Sequence, residues 1–268
     1  MIGRRAFDAS FHWVMWVLAV AAIVVLIAPT VVVLITAFND TPTIRFPPPA
    51  YSLRAFRALA DSEDLLDATW NSTVVAFVAT SISILLAVPA ALYIASGRSL
   101  VARFLDNVFM SPLILPAIAL GLAIVMLISW LKVPLSVYTL IAGHVIVCVP
   151  LVLRTTVAAL ARLDPALIEC SQSLGASGWF TFRQVILPAI RPGVLAGAFI
   201  AFLSSFDNVP VSLFLSDART VVLPIRMWQL MEGSLDARVA AVSGALVILT
   251  FALVIVMDRL VGLDRHLR

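Results

Sequence analysis

From Trp13 to Ala37 the chain runs 25 residues without one charged side chain. A helix rising 1.5 Å per residue needs about 20 such residues to cross a hydrocarbon core of about 30 Å. No water reaches that core to satisfy backbone N–H and C=O groups, so a lone segment of this kind must be helical. Five more segments are long and apolar enough: Trp70–Ser96, Asn107–Trp130, Ser136–Leu153, Gly193–Leu215 and Arg238–Met257. Six spans predict an all-α integral membrane fold, one transmembrane domain over residues 1–268. Composition agrees, with 12% charged residues against about 25% in soluble domains. A net charge of +3, scattered along the chain, gives no basis for nucleic-acid binding. Arg4 and Arg5 precede the first span as they would a secretory signal. The apolar run is too long for one and no clean cleavage site follows, so the span reads as a retained anchor.

Arginine sets the orientation. With both termini inside, the inner segments carry 11 of the 18 basic residues: Arg4, Arg5, Arg98, Arg103, Arg154, Arg162, Arg183, Arg191, Arg259, Arg265 and Arg268. The excess predicts cytoplasmic termini, with residues 1–12 as the N-terminal tail. Trp13, Trp16, Trp70 and Trp130 sit near span ends, as interfacial tryptophans do. The long outer segment 38–69 is proline-rich at first, and its "SLRAFRALADSEDLLDA" predicts a surface helix. Leu223, Met227, Leu230 and Met231 recur at helical spacing and predict an amphipathic interfacial helix. The "NST" at Asn71 matches a glycosylation sequon but lies at a span edge and is discounted.

One segment breaks the apolar pattern. Residues 154–192 form the longest inner loop, containing "IECSQSLGASGWFTFRQVILP". Asp164-Pro165 predicts a helix start: Asp caps free N–H groups and Pro is tolerated at the first position. That helix runs to about Leu174. Gly175 suits the left-handed position that ends many helices, and Ser177 can cap a second helix leading into the fifth span. Two short helices joined at a glycine make a docking knob, or an ordinary solvated loop with two interfacial helices.

Asp207 is the one acid well inside a predicted span. A carboxylate there is costly unless paired or facing water, which makes it a functional candidate by default. With Phe206, Asn208 and Pro210 it predicts a kinked polar notch in the fifth span, either on a substrate path or packed as a structural kink. His144 and Cys148 share a helical face, but two ligands make no metal site. The histidine is better read as bonded to a neighbouring helix. Cys148 and Cys170 lie in different environments and no disulfide is expected. Pro112, Pro116 and Pro150 predict kinks, and Gly121 a close helix approach.

Glu169, Gly175 six residues on, and "VILP" ending at Leu187-Pro188 match the spacing of the EAA loop of ATP-binding-cassette importer permeases. The chain departs from that pattern at Cys170, Ser171 and Val185. "SPLILPAIALGLAI" (Ser111–Ile124), "FLSSFDNVPVSLFLS" (Phe202–Ser216) and "LPIRMWQLMEGSLDARVAAVSGALVIL" resemble the spermidine/putrescine branch of these type I permeases, so that the likeness covers roughly residues 60–260. The resemblance implies a MetI-like permease fold in the bacterial inner membrane and no enzyme activity. It implies three kinds of protein partner besides lipid: a second homologous permease, two copies of a cytosolic ATPase and a periplasmic solute-binding protein. Glu169, Leu174, Gly175, Ala176, Leu187 and Pro188 would couple the ATPase. Phe206, Asp207 and Asn208 would line the path of a polyamine, or else of 2-aminoethylphosphonate, iron, thiamine, an opine or an amino acid. No GxxxxGK[ST] phosphate loop occurs, so ATP and Mg2+ are expected on the partner, with no cofactor or metal here. The rival reading is a secondary transporter using Asp207 and His144 as a proton relay. No inverted repeat, the common build of such transporters, is evident.

Overall fold

The computed structural model describes residues 2–97 and 99–261. Arg98, Arg265 and Arg268, used in assigning orientation, lie outside them. Twelve α-helices are described: α1 Ile2–Ala37, α2 Arg54–Ala60, α3 Glu63–Ser96, α4 Leu100–Ile114, α5 Ala117–Trp130, α6 Val137–Leu160, α7 Pro165–Ser173, α8 Gly178–Thr181, α9 Leu187–Phe206, α10 Val209–Leu215, α11 Leu223–Ser234 and α12 Ala237–Val261. A π-helical turn, Phe182–Ile186, joins α8 to α9. Among the described residues five helical stretches are long and apolar enough to cross a membrane, and α4 with α5 form a bent pair that makes up to six. The chain divides into two compact units, residues 1–63 with 229–255, and residues 64–228 with 256–268.

In the first unit, residues 11–31 of α1 are exposed on every side. The chain then turns through a bonded irregular segment. Asn39 is fully buried; its amide donates to the carbonyls of Thr43 (3.2 Å) and Arg45 (3.4 Å), and its oxygen accepts from the N–H and hydroxyl of Thr41. The predicted surface helix forms as α2 alone, and Glu63 already opens α3. Ala55, Phe56 and Leu59 of α2 pack on Ala237 and Ala241 of α12. Asp236 accepts the Arg238 backbone N–H at 2.8 Å and its guanidinium at 2.7 Å. Burial raises the Asp236 carboxyl, but these bonds and the Arg238 charge outweigh it and hold the group below the usual carboxylate range.

The second unit corrects three predicted spans. The third is two helices meeting at 108°. Pro116 disfavours helical backbone at the residue before it, and Leu115 is extended (φ −76°, ψ 143°). The fourth continues through Arg154 to Leu160, beyond its predicted end at Leu153 and without a break at Pro150. The fifth is a helical stretch from Gly178 to Phe206 that stops and restarts as α10.

The core of this unit is an antiparallel ladder between α6 and α9. His144 bonds Ser205, and the Cys148 thiol donates to the Ala201 carbonyl at 3.4 Å. Gly197 faces Val152 and Thr155, and Gly193 faces Thr155 and Ala159. Gly193, Gly197, Ala201 and Ser205 are four apart, so they share one helix face and let the backbones approach. A β-carbon on Gly193 would lie 2.6 Å from that of Ala159. On the other side α5 and α6 hold α10. A β-carbon on Gly121 would sit 2.7 Å from the Pro210 carbonyl oxygen and 2.8 Å from the Phe214 ring. Gly121→Val is therefore expected to destabilise by about 1–3 kcal/mol, read as a lower unfolding temperature in detergent.

The link from α10 to α11 is a tight turn. The Thr220 hydroxyl (2.5 Å) and N–H (2.7 Å), with the Arg219 N–H (3.0 Å), donate to Asp217 Oδ1. The Thr220 hydroxyl chiefly, with these N–H groups and the Arg219 charge, holds the Asp217 carboxyl below its ordinary value despite some desolvation. Because the folded value is depressed, the turn's stabilisation is full above the unfolded carboxylate value of about 4 and is lost as pH falls through the folded one. Hydrogen exchange at Thr220 should accelerate at acid pH relative to Asp217→Ala, which should lack that transition.

The predicted amphipathic helix forms as α11. Its most buried residues, Leu223 and Ile225, lie at its start, while Met231 is exposed.

Candidate functional site

Two constructions stand at opposite ends of α9, whose 20 residues span about 30 Å. The first is the elbow formed by α7 and α8. Asp164 accepts the Ala166 N–H at 2.9 Å, with Pro165 in the first turn. At the far end Gly175 adopts φ +82°. Its N–H donates to the Gln172 carbonyl (2.9 Å) and the Ala176 N–H to the Ser171 carbonyl (3.1 Å). This paired arrangement stops a helix with a residue in left-handed conformation. Ser177 then accepts the Phe180 N–H at 3.2 Å and starts α8. Local chemistry alone makes the reversal.

No residue of α7 is buried. Glu169 and Cys170 are exposed, and Leu174 at the tip is 83% exposed. Ser171 points inward, its hydroxyl 2.9 Å from that of buried Thr181. The two departures from the EAA alanines thus have different settings: Cys170 on the outer face, Ser171 tying α7 to α8. Leu174, Gly175 and Ala176 form the bend, with Glu169 on the helix that enters it. Leu187 and Pro188 lie on the helix that leaves it. The Leu187 N–H bonds the Phe182 carbonyl five residues back, which gives the π turn. Pro188, next in line, has no N–H to offer.

The second construction is the break between α9 and α10. Phe206 is the last residue of α9 and stacks on Phe202, with centroids 6.1 Å apart. Asp207 ends that helix and is exposed. Asn208 caps α10, accepting the Val211 N–H at 2.9 Å. The predicted kink within a continuous helix is corrected accordingly. Pro210 sits in the first turn of a new helix, where its missing N–H costs nothing, and the Asn208 oxygen is committed to the cap. The structure brings Phe206, Asp207 and Asn208 together, leaving the Asp207 carboxylate without a hydrogen-bond partner among the described residues.

His144, expected to bond a neighbouring helix, does so: Nδ1 lies 2.7 Å from Ser205 Oγ and Nε2 3.1 Å from Ser212 Oγ. Among the described residues no three His, Cys, Asp or Glu side chains are placed to hold a metal. Cys148 and Cys170 are both free. One polar feature escaped the sequence reading, a cavity of about 240 Å3 lined by Asp64, Asp67, Asn71, Arg219 and Arg226. Arg226 pairs with Asp64 across it. Only the fold reveals it, since its residues come from distant parts of the chain.

Comparison with known proteins places this architecture. The chain is 30% identical over 220 residues to the spermidine/putrescine transport system permease protein PotC of Haemophilus influenzae, covering 81% of this chain and 84% of that protein. It is 29% identical over 243 residues to PotC of Escherichia coli K12, covering 88% and 89%. The putrescine permease PotI of the same organism is 24% identical over 226 residues, covering 81% and 80%. Among solved structures, a bacterial ABC transporter involved in import of the acidic polysaccharide alginate matches with a TM-score of 0.74. That match covers 97% of this chain and 98% of that one at 16% identity. The MetNI methionine transporter matches with a TM-score of 0.62 at 20% identity, covering 74% and 94%. The fold is that of type I ABC importer permeases. Residues 83–263 match the family described as the binding-protein-dependent transport system inner membrane component, and the chain, a multi-pass membrane protein, belongs to that family.

Proposed function

We propose that this permease imports polyamines, spermidine or putrescine, as one of two homologous membrane subunits worked by two cytosolic ATPases and supplied by a periplasmic binding protein. ATP and Mg2+ are held by the ATPases. Both termini face the cytoplasm, which places the α7–α8 elbow on the side of the ATPase and the Asp207 break toward the other. Glu169 makes polar contact with the ATPase, Leu174 and Ala176 pack at that contact, and Gly175 sets the angle of the knob. Leu187 and Pro188 pass its movement into α9. Asp207, with Asn208 and Phe206 beside it, meets the ammonium groups of the substrate.

The observation that carries this reading is the likeness to the PotC permeases over more than four-fifths of the chain. The elbow and an uncommitted carboxylate at the two ends of one helix support it. The test is uptake into proteoliposomes holding the full complex with its binding protein. ATP-dependent accumulation of labelled putrescine or spermidine is expected. A binding protein that ignores polyamines removes the substrate assignment in favour of another small solute. Uptake by this chain without an ATPase would mean a secondary transporter.

A further inference from the structure

The break at Asp207–Asn208 has no continuous backbone ladder to fix its angle. α9 ends at Phe206, α10 begins at Val209, and α10 is only seven residues long. One side chain from a third helix spans the gap. His144, 1% exposed on α6, reaches Ser205 in the last turn of α9 with Nδ1 and Ser212 in α10 with Nε2, at 2.7 and 3.1 Å. Ser205 and Ser212 are themselves 3% and 0% exposed. A neutral imidazole offers one donor and one acceptor nitrogen, and a hydroxyl serves either, so each ring nitrogen finds a hydroxyl partner, one on each side of the break. Neighbouring packing shares the geometry. Gly143, adjacent on α6, lies against Val211 and Leu215 of α10, and Cys148, one turn along, bonds α9.

We propose that His144 is a positioning residue for transport: by bonding both helices across the break it fixes the direction in which Asp207 and Asn208 are presented. The claim rests on the reading that Asp207 lies on the substrate path. A ring that only filled space would be replaceable by another ring. A pin requires two hydrogen-bonding atoms.

The test uses the reconstituted complex. Spin labels are placed at exposed Ile200 and Leu213, either side of the break, in a Cys170→Ser background that leaves only buried Cys148. The distance distribution between them is measured alongside the half-saturating putrescine concentration for ATP-driven uptake. His144→Phe should broaden the distribution and raise half-saturation about tenfold, the effect of roughly one lost hydrogen bond on an affinity, at an unchanged amount of assembled complex. His144→Gln, which keeps a donor and an acceptor, should restore both. If His144→Phe fails to assemble, Ser205→Ala and Ser212→Ala each remove one bond and should broaden the distribution in the same way. An unchanged distribution in all three, or a broadened one with unchanged half-saturation, overturns the proposal. If wild type takes up no putrescine the substrate assignment fails, and the distance measurement alone decides the pin.

Discussion

Gly175→Pro is expected to leave the permease in the membrane and to reduce ATP-driven uptake by well over an order of magnitude. Proline holds φ near −65°, whereas Gly175 sits at +82°. The substitution also deletes the N–H that bonds the Gln172 carbonyl at 2.9 Å, and it pushes Leu174 out of the helical region. Together these effects cost about 3 kcal/mol or more where the native backbone conformation persists, so α7 should reorient. Nothing lies within 4 Å of where a β-carbon on Gly175 would be, so the strain stays in the elbow and spares the core. Gly175→Ala should be milder, costing about 1–2 kcal/mol from the left-handed backbone alone. The measurement is uptake together with the stimulation of ATPase activity by the loaded binding protein. Full uptake with proline at this position would remove the elbow from coupling.

Asp207→Asn should act at the other end of the same helix and with a different signature. The two side chains have nearly the same shape, and the carboxylate bonds nothing among the described residues. Folding and assembly should therefore be untouched. A hydrogen bond to a charged group contributes about 1.5–3 kcal/mol. Losing one between the carboxylate and an ammonium should raise half-saturation for putrescine about 10- to 100-fold, and Asp207→Glu should recover part of it. Kinetics of uptake over a range of putrescine concentrations reads this directly. Unchanged half-saturation in the Asn variant would take Asp207 off the path.

The elbow was legible because everything that makes it is local. Asp164, Pro165, Gly175 and Ser177 each act on backbone groups within a few residues, and the structure finds each in the position its chemistry predicts. Apolar length marked the candidate spans, five helices or up to six with the bent pair, but length says nothing of direction. Asn107–Trp130 passes any hydropathy test and is nonetheless bent at Leu115, where the signal was the restriction a proline places on its predecessor. The break after Phe206 was read as a kink because Pro210 was weighed as a helix interior residue, when Asn208 two positions earlier was already a cap. The Gly193, Gly197, Ala201 and Ser205 stripe is visible at its spacing of four. Its partners His144, Cys148, Val152 and Thr155 emerge only when α6 is laid against it. What the exposed Asp207 and α7 face lies beyond one chain, and their assignment rests on resemblance.

The bend between α4 and α5 bears on how the protein is made. Helices of 15 and 14 residues reach only about 22 and 21 Å, short of a core of about 30 Å. Each therefore brings helix ends, with their unpaired backbone groups, toward lipid. Gly121 of α5 packs on α10, which begins about eighty residues after α5 ends. At 5–20 residues per second that partner follows roughly 4 to 16 s later. During that interval α5 lacks its α10 contact and shares a core with Val75 of α3 and Leu140 of α6. α1, without a charged side chain from Trp13 to Ala37, can leave the insertion channel for the bilayer at once. α5 is therefore expected to settle in two stages, first against α3 and α6 and then, once the fifth span has been made, against α10.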